Sequence, residues 1–558
     1  MVGNVGVGGD NPIRIQSMTN SPTRDVDATV EQVIRLADAG CEIARVTVQG
    51  KKEADACEAI KNTLLQKGYT IPLVADIHFY PPAAMRVIEF VDKVRVNPGN
   101  YLDKRATFKT LEYTDEQYQE EIRRLEENFA PLVIKCKTLG KAMRIGTNHG
   151  SLSDRIMNRY GDTPAGMLES ALEYARVCRA HDFHDIVFSM KASNTKVKIE
   201  AYRLLVAAMM ELGWDYPLHL GVTEAGEGED GRIRSAIGMG SLLLDGIGDT
   251  IRVSLTEDPW KEIDPCKRLV AFAEECQGKG VEEFDETTRD ITHITRRDVK
   301  LFQGMHPSGT VALNLSGKEV TSQDLGLGTE VQVDLVKGRA EGIESIPENT
   351  VVVDSTDNWQ ALLDQDPKLV LLRPGKEGRV QFCRQFFDWL KKRGSSVPVL
   401  LNFTYEGDWD DVVIAASAEC GSLLCDGLGD GLMLEGAFDF SSLRTLSFNI
   451  LQGCRMRSTK TEFISCPSCG RTLFNIQQVA ERIRQRTGHL PGVKIAIMGC
   501  IVNGPGEMAD ADFGYVGSGA GKVDLYVGKA CVEKGIAMDD ADDRLIELIK
   551  KYDRWVEC

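Results

Sequence analysis

Eight short apolar runs recur between Ile13 and Asp258, and each run ends in polar or glycine-rich residues. Most stretches between them have the periodicity of amphipathic helices; residues 28–40 place their apolar residues on one face and stop at a glycine. Strands that alternate with helices pair in parallel, so eight such units predict an α/β fold that closes into a (β/α)8 barrel. The alternative is an open doubly wound sheet, but no GxGxxG loop follows the first run. The runs begin at Ile13, Ile43, Pro72, Lys93, Ala142, Asp185, Pro217 and Asp249.

Basic residues fall at the predicted carboxyl ends of four of these strands, which is the end where (β/α)8 barrels carry their active sites. The chain as a whole is acidic, with 66 Lys and Arg against 83 Asp and Glu and a formal net charge of −17. A single strand-end cation is typical of a surface or ion-paired residue, but four that meet at one barrel mouth predict a polyanionic ligand. The four are Arg95, Arg144, Lys191 and Arg252.

Three further strand-end residues belong to this predicted site. Asn148 and Ser254 supply neutral hydrogen-bond donors for phosphate oxygens, and Glu224 is the isolated acid. A carboxyl group beside a bound anion has its neutral form favoured, as a proton donor requires, so we expect Glu224 to act as a general acid. His78 also lies at a strand end, where a hydrogen-bonded structural histidine is the alternative.

One segment of the barrel is repeated farther along the chain. Residues 217–249 and 398–430 align without gaps, and GSLLLDGIGD in the first corresponds to GSLLCDGLGD in the second. Such a match indicates a duplicated strand–helix unit, and residues 290–440 are predicted to form a second, barrel-like domain. Tyr405 stands opposite Glu224 and Met433 opposite Arg252, so the copy has lost its polar mouth. We expect a spacer rather than a second active site.

Three cysteines near the carboxyl terminus carry the strongest functional signal. Cys466 and Cys469 form a CxxC motif, and Cys500 follows a predicted strand at the start of a turn rich in glycine and proline that ends at Glu507. Three soft thiolates suit either an iron–sulfur cluster or zinc. A carboxylate as fourth ligand would hold one iron weakly enough for a substrate oxygen to replace it.

The residues alone leave the fourth ligand open. In the alternative, Glu507 is a surface acid and a distant thiol, Cys454 or Cys531, completes the set. Residues 454–494 are also rich in Arg and Lys. This basic region either attracts a small acidic electron carrier or is balanced by acidic neighbours in three dimensions.

Composition bounds the class of protein. Of the 558 residues, 42% are hydrophobic and 27% are charged, and no apolar run approaches the ~20 residues of a membrane helix. The net negative charge disfavours nucleic acid as a partner, and fifteen scattered cysteines suit a reducing compartment. The first residues lack the pattern of a signal peptide. We expect a cytoplasmic enzyme that binds neither membrane nor nucleic acid.

Five motifs together resemble one enzyme family. SMTNSPTRDVDATVEQV, RVNPGN, RIGTNHGSLSDR, SCPSCGRTLF and GCIVNGPGE are similar to motifs of the 4-hydroxy-3-methylbut-2-enyl diphosphate synthases, and the insertion is similar to the long, three-domain form of plants and some bacteria. The absence of a transit peptide favours a bacterial source, although relatives carry a basic stretch before VGNV, which leaves the completeness of the N-terminus open. The expected domains are a TIM barrel (1–265), the inserted domain (290–440) and a C-terminal α+β iron–sulfur domain (450–558).

The resemblance also implies the chemistry. The family opens the ring of 2-C-methyl-D-erythritol 2,4-cyclodiphosphate reductively, with electrons that ferredoxin or flavodoxin supplies through a [4Fe–4S] cluster. Its proposed general acid corresponds to Glu224. Its cluster ligands correspond to Cys466, Cys469, Cys500 and Glu507. Its diphosphate-binding residues correspond to Arg95, Arg144, Asn148, Lys191, Arg252 and Ser254.

One rival function and one question about domain arrangement accompany this interpretation. The rival class is a non-redox barrel enzyme for a phosphorylated or pterin-like substrate, with a structural zinc domain at its C-terminus. The cations and the cysteines also lie far apart in the sequence. Either the C-terminal domain closes over the barrel of its own chain, or a homodimer shares the site between subunits.

Overall fold

The computed structural model describes residues 1–103, 113–315, 317–356, 359–501, 504–508 and 510–557. Within these ranges, the side chains of Gln360, Ala361, Leu363, Pro505 and Glu507 are not described. In this part of the chain, an eight-stranded sheet is followed by a seven-stranded sheet with a short two-stranded ribbon and then by a five-stranded sheet.

The first sheet forms the predicted barrel, and each of the eight apolar runs contains one of its strands. The strands are β1 (Arg14–Met18), β2 (Ile43–Val48), β3 (Leu73–Ile77), β4 (Lys93–Val96), β5 (Ala142–Asn148), β6 (Ile186–Lys191), β7 (His219–Leu220) and β8 (Thr250–Ile251). They pair in parallel in the order β6-β5-β4-β3-β2-β1-β8-β7. A bridge between Phe188 and Leu218 joins β6 to the segment of β7, so the ring closes.

Helices surround the barrel. They are α1 (Val26–Ala39), α2 (Lys51–Gln66), α3 (Pro81–Val87), α4 (Pro98–Tyr101), α5 (Asp115–Leu139), α6 (Asp154–Tyr160), α7 (Pro164–Ala180), α8 (Thr195–Leu212), α9 (Gly228–Leu244) and α10 (Ile263–Cys276), with 3-10 turns at His149–Ser151 and Pro259–Glu262. Helix α1 shows how the sequence sets its limits. The Asp25 side chain accepts a hydrogen bond from the backbone N–H of Ala28, and Gly40 ends the helix at a φ of 103°.

The inserted domain is a half-barrel. Its sheet contains β9 (Thr310–Asn314), β10 (Leu335–Lys337), β11 (Glu344–Ser345), β12 (Thr350–Val353), β13 (Leu369–Leu372), β14 (Val399–Leu401) and β16 (Gly431–Leu432), and β15 (Thr404–Tyr405) pairs with β17 (Glu435–Gly436). The seven strands are parallel, in the order β11-β10-β9-β16-β14-β13-β12. Its helices are α11 (Ser322–Leu325), α12 (Trp359–Gln365), α13 (Arg379–Lys392), α14 (Trp409–Cys425) and α15 (Phe440–Gly453).

One apolar core runs continuously through the barrel and the half-barrel. The two bodies meet chiefly where α14 and α15 pack against α9. The half-barrel is therefore held to the barrel by buried apolar surface.

Hydrogen bonds hold the segment that precedes the half-barrel against it. Arg297 donates to Asp430, and the backbone N–H groups of Thr287 and Thr288 donate to Asp388.

The C-terminal domain has its own core, separate from that of the barrel. Its strands β18 (Glu462–Ser465), β19 (Lys494–Met498) and β20 (Phe513–Gly519) are parallel, and β21 (Lys522–Val527) and β22 (Ala530–Ala537) continue the sheet in antiparallel pairing. Its helices are α16 (Ile476–Thr487), α17 (Gly504–Glu507) and α18 (Met538–Lys551). Across the described residues, none of the helices combines the length and apolar character that a membrane crossing requires.

Candidate active site

All seven barrel residues predicted from the sequence line one cavity at the carboxyl ends of the strands. Arg95 on β4 and Arg144 on β5 are paired in register, as are Asn148 and Lys191 at the ends of β5 and β6. Each of the seven residues is at most 5% exposed. The seven are Arg95, Arg144, Asn148, Lys191, Glu224, Arg252 and Ser254.

Arg252 is held by a carboxylate behind the cavity. Its Nε lies 3.0 Å from Oε2 of Glu262, and its Nη2 lies 2.9 Å from Oε1. Burial by itself would lower the pKa of Arg252, but Glu262 more than offsets this and raises the pKa above its ordinary value. Glu262 also accepts hydrogen bonds from Ser17 and from the backbone of Leu255, so this ion pair is fixed on several sides.

Other cations of the cavity are crowded together. Burial and the neighbouring arginines, Arg45 among them, hold the pKa values of Arg144 and Lys191 well below their usual ranges. The pKa of Arg45 itself is lowered to about 9, mainly by burial. Six basic side chains line the described cavity against the two carboxylates of Asp76 and Glu224. A bound anion would offset the repulsion among these groups and favour their charged forms.

Two glycines make room for these cations. A Cβ atom on Gly146 would stand 2.5 Å from Nε of Arg95. A Cβ atom on Gly221 would stand 2.7 Å from Nζ of Lys191. The absence of a side chain at both positions lets the two cations fold into the barrel mouth.

Asp76, at the end of β3, organises the opposite wall. Its Oδ1 accepts a hydrogen bond from Nη1 of Arg95 at 2.8 Å, and the same Nη1 lies 2.7 Å from Nε2 of His78. Burial would raise the pKa of Asp76, but the neighbouring arginines, Arg95 first and then Arg45, lower it well below its usual range. Burial lowers the pKa of His78 to about 3, so His78 is neutral near pH 7 and accepts from Arg95. His78 is thus a hydrogen-bonded partner of the site.

The three predicted cysteines of the C-terminal domain line the same cavity as the barrel cations. Cys466 and Cys469 lie on the loop after β18, and Cys500 lies on the turn after β19. The backbone N–H of Gly499 donates to Sγ of Cys466 at 3.3 Å. Burial, together with Cys500, Cys469 and Glu224, raises the pKa of Cys466 well above its ordinary value.

The described residues include no group of three His, Cys, Asp or Glu side chains arranged around a single metal ion. The side chain of Glu507 lies outside the described residues. The alternative thiols do not line the cavity: Cys454 is fully buried beside Gly421 of the half-barrel, and Cys531 lies on β22.

The C-terminal domain closes on the barrel of its own chain. A parallel bridge joins Ala225, next to Glu224, to Ser465, next to Cys466. Nη1 of Arg234 donates to the carbonyl of Phe463 at 2.7 Å. Gly470 lies against Thr47, whose Oγ1 would be 2.5 Å from an added Cβ. The cations and the cysteines are therefore brought together within one chain.

The basic region at 454–494 is balanced by acidic neighbours. Of its eight Arg and Lys residues, seven form ion pairs: Arg455, Arg457, Lys460, Arg471, Arg482, Arg484 and Arg486. Three of their partners, Asp76, Glu227 and Asp230, belong to the barrel. The structure favours the second of the two alternatives, since this region holds domains together rather than presenting free positive charge.

Sequence reasoning left four charged residues out of the predicted site. Arg45 and Asp76 stand at strand ends, and that position alone could have added them. Glu262 and Arg471 gave no such signal, because Glu262 lies in a 3-10 turn and Arg471 reaches the barrel only through domain closure.

The comparisons with known proteins agree over the whole chain. Residues 1–267 match the family model described as the GcpE TIM-barrel domain, and residues 462–551 match the GcpE protein C-terminal domain. A relative from Protochlamydia amoebophila, named 4-hydroxy-3-methylbut-2-en-1-yl diphosphate synthase (flavodoxin), is 57% identical and covers 100% of this chain and 96% of its own. The ferredoxin-type chloroplastic synthases of Oryza sativa and Arabidopsis thaliana are 50% and 48% identical, each with 100% of this chain and 87% of their own covered.

Among solved structures, an N-acetylneuraminic acid synthetase from Leptospira borgpetersenii matches with a TM-score of 0.33 and 12% identity, over 51% of this chain and 92% of its own.

Proposed function

The chain belongs to the GcpE family of 4-hydroxy-3-methylbut-2-en-1-yl diphosphate synthases, and we propose that the cavity between its barrel and its C-terminal domain is the active site. The enzyme is an oxidoreductase of isoprenoid biosynthesis that converts 2-C-methyl-D-erythritol 2,4-cyclodiphosphate to 4-hydroxy-3-methylbut-2-enyl diphosphate, with ferredoxin or flavodoxin as electron donor. The observation that supports this placement is the single cavity lined by both the cations and the cysteines. The rival of a non-redox barrel enzyme with a structural zinc domain finds no support among the named relatives.

The diphosphate of the substrate would bind among the buried cations. Arg95, Arg144, Lys191 and Arg252 come from four strands and carry charge that the lining carboxylates do not balance. Guanidinium groups bind phosphate oxygens in a bidentate manner, and in a buried site such contacts are stronger than in water. Asn148 and Ser254 are proposed to add neutral hydrogen bonds.

The donor set fits a [4Fe–4S] cluster. Cys466, Cys469 and Cys500 would supply three thiolates, and the backbone N–H of Gly499 already donates to one of the sulfurs. Glu507 would supply the fourth ligand, as the resemblance to the family implies. Thiolates at separate corners of a cluster need not surround one point, in keeping with the absence of a single-ion arrangement among the described side chains. When bound, the cluster would pass electrons singly to the substrate.

Glu224 is proposed to hold a proton for the departing oxygen. Its residue is 4% exposed, lines the cavity with Lys191 and Cys466, and has a left-handed φ of 52°. A non-glycine residue in that region is strained, and strain of this kind is retained where the surroundings fix it. The neighbouring bridge from Ala225 to Ser465 supplies such a constraint. This constraint would hold the carboxyl group at the cavity that the cations and the cysteines both line.

We also propose that the enzyme works in the cytoplasm, because three cysteines that bind a cluster must stay reduced rather than form disulfides.

Anaerobic reconstitution tests the proposal. The full chain, incubated with iron and sulfide, is expected to bind about four irons with brown absorption. Cys466→Ser is expected to abolish both iron retention and turnover. Cys531→Ser is the matched control, since Cys531 is a half-buried cysteine of the same domain outside the cavity. Stoichiometric zinc without iron in the wild type, or equal iron in both variants, contradicts the proposed cluster site.

A further inference from the structure

One carboxylate touches both halves of the active site. Asp76 is 2% exposed; its Oδ1 accepts from Nη1 of Arg95 at 2.8 Å, and its Oδ2 lies 3.2 Å from Nη2 of Arg471. Arg95 belongs to the anion site of the barrel. Arg471 belongs to the C-terminal domain, where it follows Cys469 by two residues and lines the same cavity. Asp76 thus stands between a proposed diphosphate ligand and a proposed cluster ligand.

We propose that Asp76 is a positioning residue that orients Arg95 towards the diphosphate and Arg471 towards Cys469 across the domain interface. The inference rests on the proposed function, because it assumes that the two arginines face substrate and cluster. Asp76 can hold both arginines at once, because each of them donates to a different oxygen of its carboxylate.

Burial distinguishes this bridge from an exposed ion pair between the same two domains. The side chains of Asp76 and Arg471 are 2% and 8% exposed, whereas those of Asp162 and Lys529 are 32% and 40% exposed. Exposed pairs contribute little, while removal of one partner from a buried pair leaves an uncompensated charge. An arginine has many rotamers, and a buried carboxylate with two occupied oxygens selects one for each of its partners.

The competing role for Asp76 is charge compensation alone. Asp76 is one of only two carboxylates among the described cavity residues. If it served only to offset positive charge, its neutralisation would leave the cavity more positive and anions would bind more tightly. If it orients Arg95, the same change weakens anion binding. The two roles predict opposite signs.

The first experiment measures binding of inorganic pyrophosphate to the anaerobically purified full-length enzyme by calorimetry. Asp76→Asn is expected to raise the Kd at least about tenfold, the size of effect that follows loss of a hydrogen bond to a charged group. Asp76→Glu, which keeps a carboxylate, is expected to recover part of the affinity. Unchanged or tighter binding by Asp76→Asn overturns the proposal.

The second experiment reads the cluster side through the electron paramagnetic resonance spectrum and the midpoint potential of the reduced protein. Arg471→Met and Asp76→Asn are each expected to shift both readouts, and the double variant should shift them no further than Arg471→Met alone. Asp162→Asn, which also removes an ion pair between the barrel and the C-terminal domain, is the control and should shift neither. The proposal is contradicted if Asp76→Asn shifts the spectrum and the potential as much in the Arg471→Met variant as it does in the wild type.

The outcomes separate this inference from the proposed function. If the wild-type protein retains no iron and binds no pyrophosphate, the proposed active site itself is wrong. If the wild type retains iron and binds pyrophosphate, and Asp76→Asn behaves like the wild type, only the positioning role is wrong.

Discussion

Gly240 on α9 and Gly421 on α14 occupy equivalent positions of the repeated segment, and each lies against the other's helix. A Cβ atom on Gly240 would collide with Cβ of Ala418, and one on Gly421 would stand 2.6 Å from Cγ1 of Ile237. Ile237 and Ala418 are themselves equivalent in the repeat. The barrel and the half-barrel therefore pack through α9 and α14, the two copies of the repeated helix, with equivalent residues of each helix in contact with the other.

This contact predicts that Gly421→Ala destabilises the fold. The added methyl group must displace Ile237 in a close-packed core, which costs about 1–3 kcal/mol. Chemical denaturation of the full chain measures the loss. Gly375→Ala is the control, because a Cβ atom at Gly375 meets nothing within 4 Å. Gly240→Ala should combine with Gly421→Ala non-additively, since the two share one interface.

Closure within one chain predicts the result of mixing two inactive variants. Cys466→Ser lacks a proposed cluster ligand, and Glu224→Gln lacks the proposed proton donor. Because one chain brings both groups to one cavity, the mixture is expected to stay inactive in a turnover assay. Recovery towards a quarter of wild-type activity would instead show that subunits exchange domains.

A buried lysine near Arg144 and Arg45 predicts a pH-dependent stability. Lys93 is fully buried, and its Nζ has no hydrogen-bond partner among the described residues. Burial, with Arg144 and Arg45 nearby, lowers its pKa from 10.5 to about 7. Between pH 7 and 10.5 the unfolded chain therefore binds a proton that the folded chain does not, so this group makes stability rise with pH.

Lys93→Met should remove that dependence. Below pH 7 the variant is expected to be more stable than the wild type by a few kcal/mol, since one pKa unit corresponds to about 1.4 kcal/mol. The difference should shrink steadily as the pH rises towards 10. Urea denaturation at pH 6, 7.5 and 9 measures it. A constant difference across this range contradicts the assignment of the shift to Lys93.

The buried ion pair between Arg252 and Glu262 predicts that a double variant is more stable than the variant that lacks only Glu262. Glu262→Gln leaves Arg252 buried without its carboxylate, which is expected to cost about 3–5 kcal/mol of stability. The double variant Glu262→Gln with Arg252→Met removes the unpaired charge and should recover part of that loss. Thermal unfolding of the three proteins at one pH checks this. A double variant less stable than Glu262→Gln would show that Arg252 stabilises the fold by itself.

The barrel was predictable because its signal is local. Each strand is a short apolar run, and each helix repeats its apolar face every three to four residues, so eight units could be counted without tertiary information. The strand-end rule then placed Arg95, Arg144, Lys191 and Arg252 at one mouth, and the structure brings them together there. The CxxC motif and Cys500 could also be found from the sequence, and the structure places all three cysteines at one cavity.

What the sequence alone determined is thus the inventory: a closed parallel barrel, a degenerate copy of part of it, and a domain that carries a cysteine motif, each specified by periodicity or motif over a short range. The tertiary structure decided what lies between them. The carboxylates Asp76 and Glu262 and the reach of Arg471 into the barrel depend on contacts between residues hundreds of positions apart. No local pattern encodes such contacts, because they arise only when separately folded surfaces meet and bury their charges against one another.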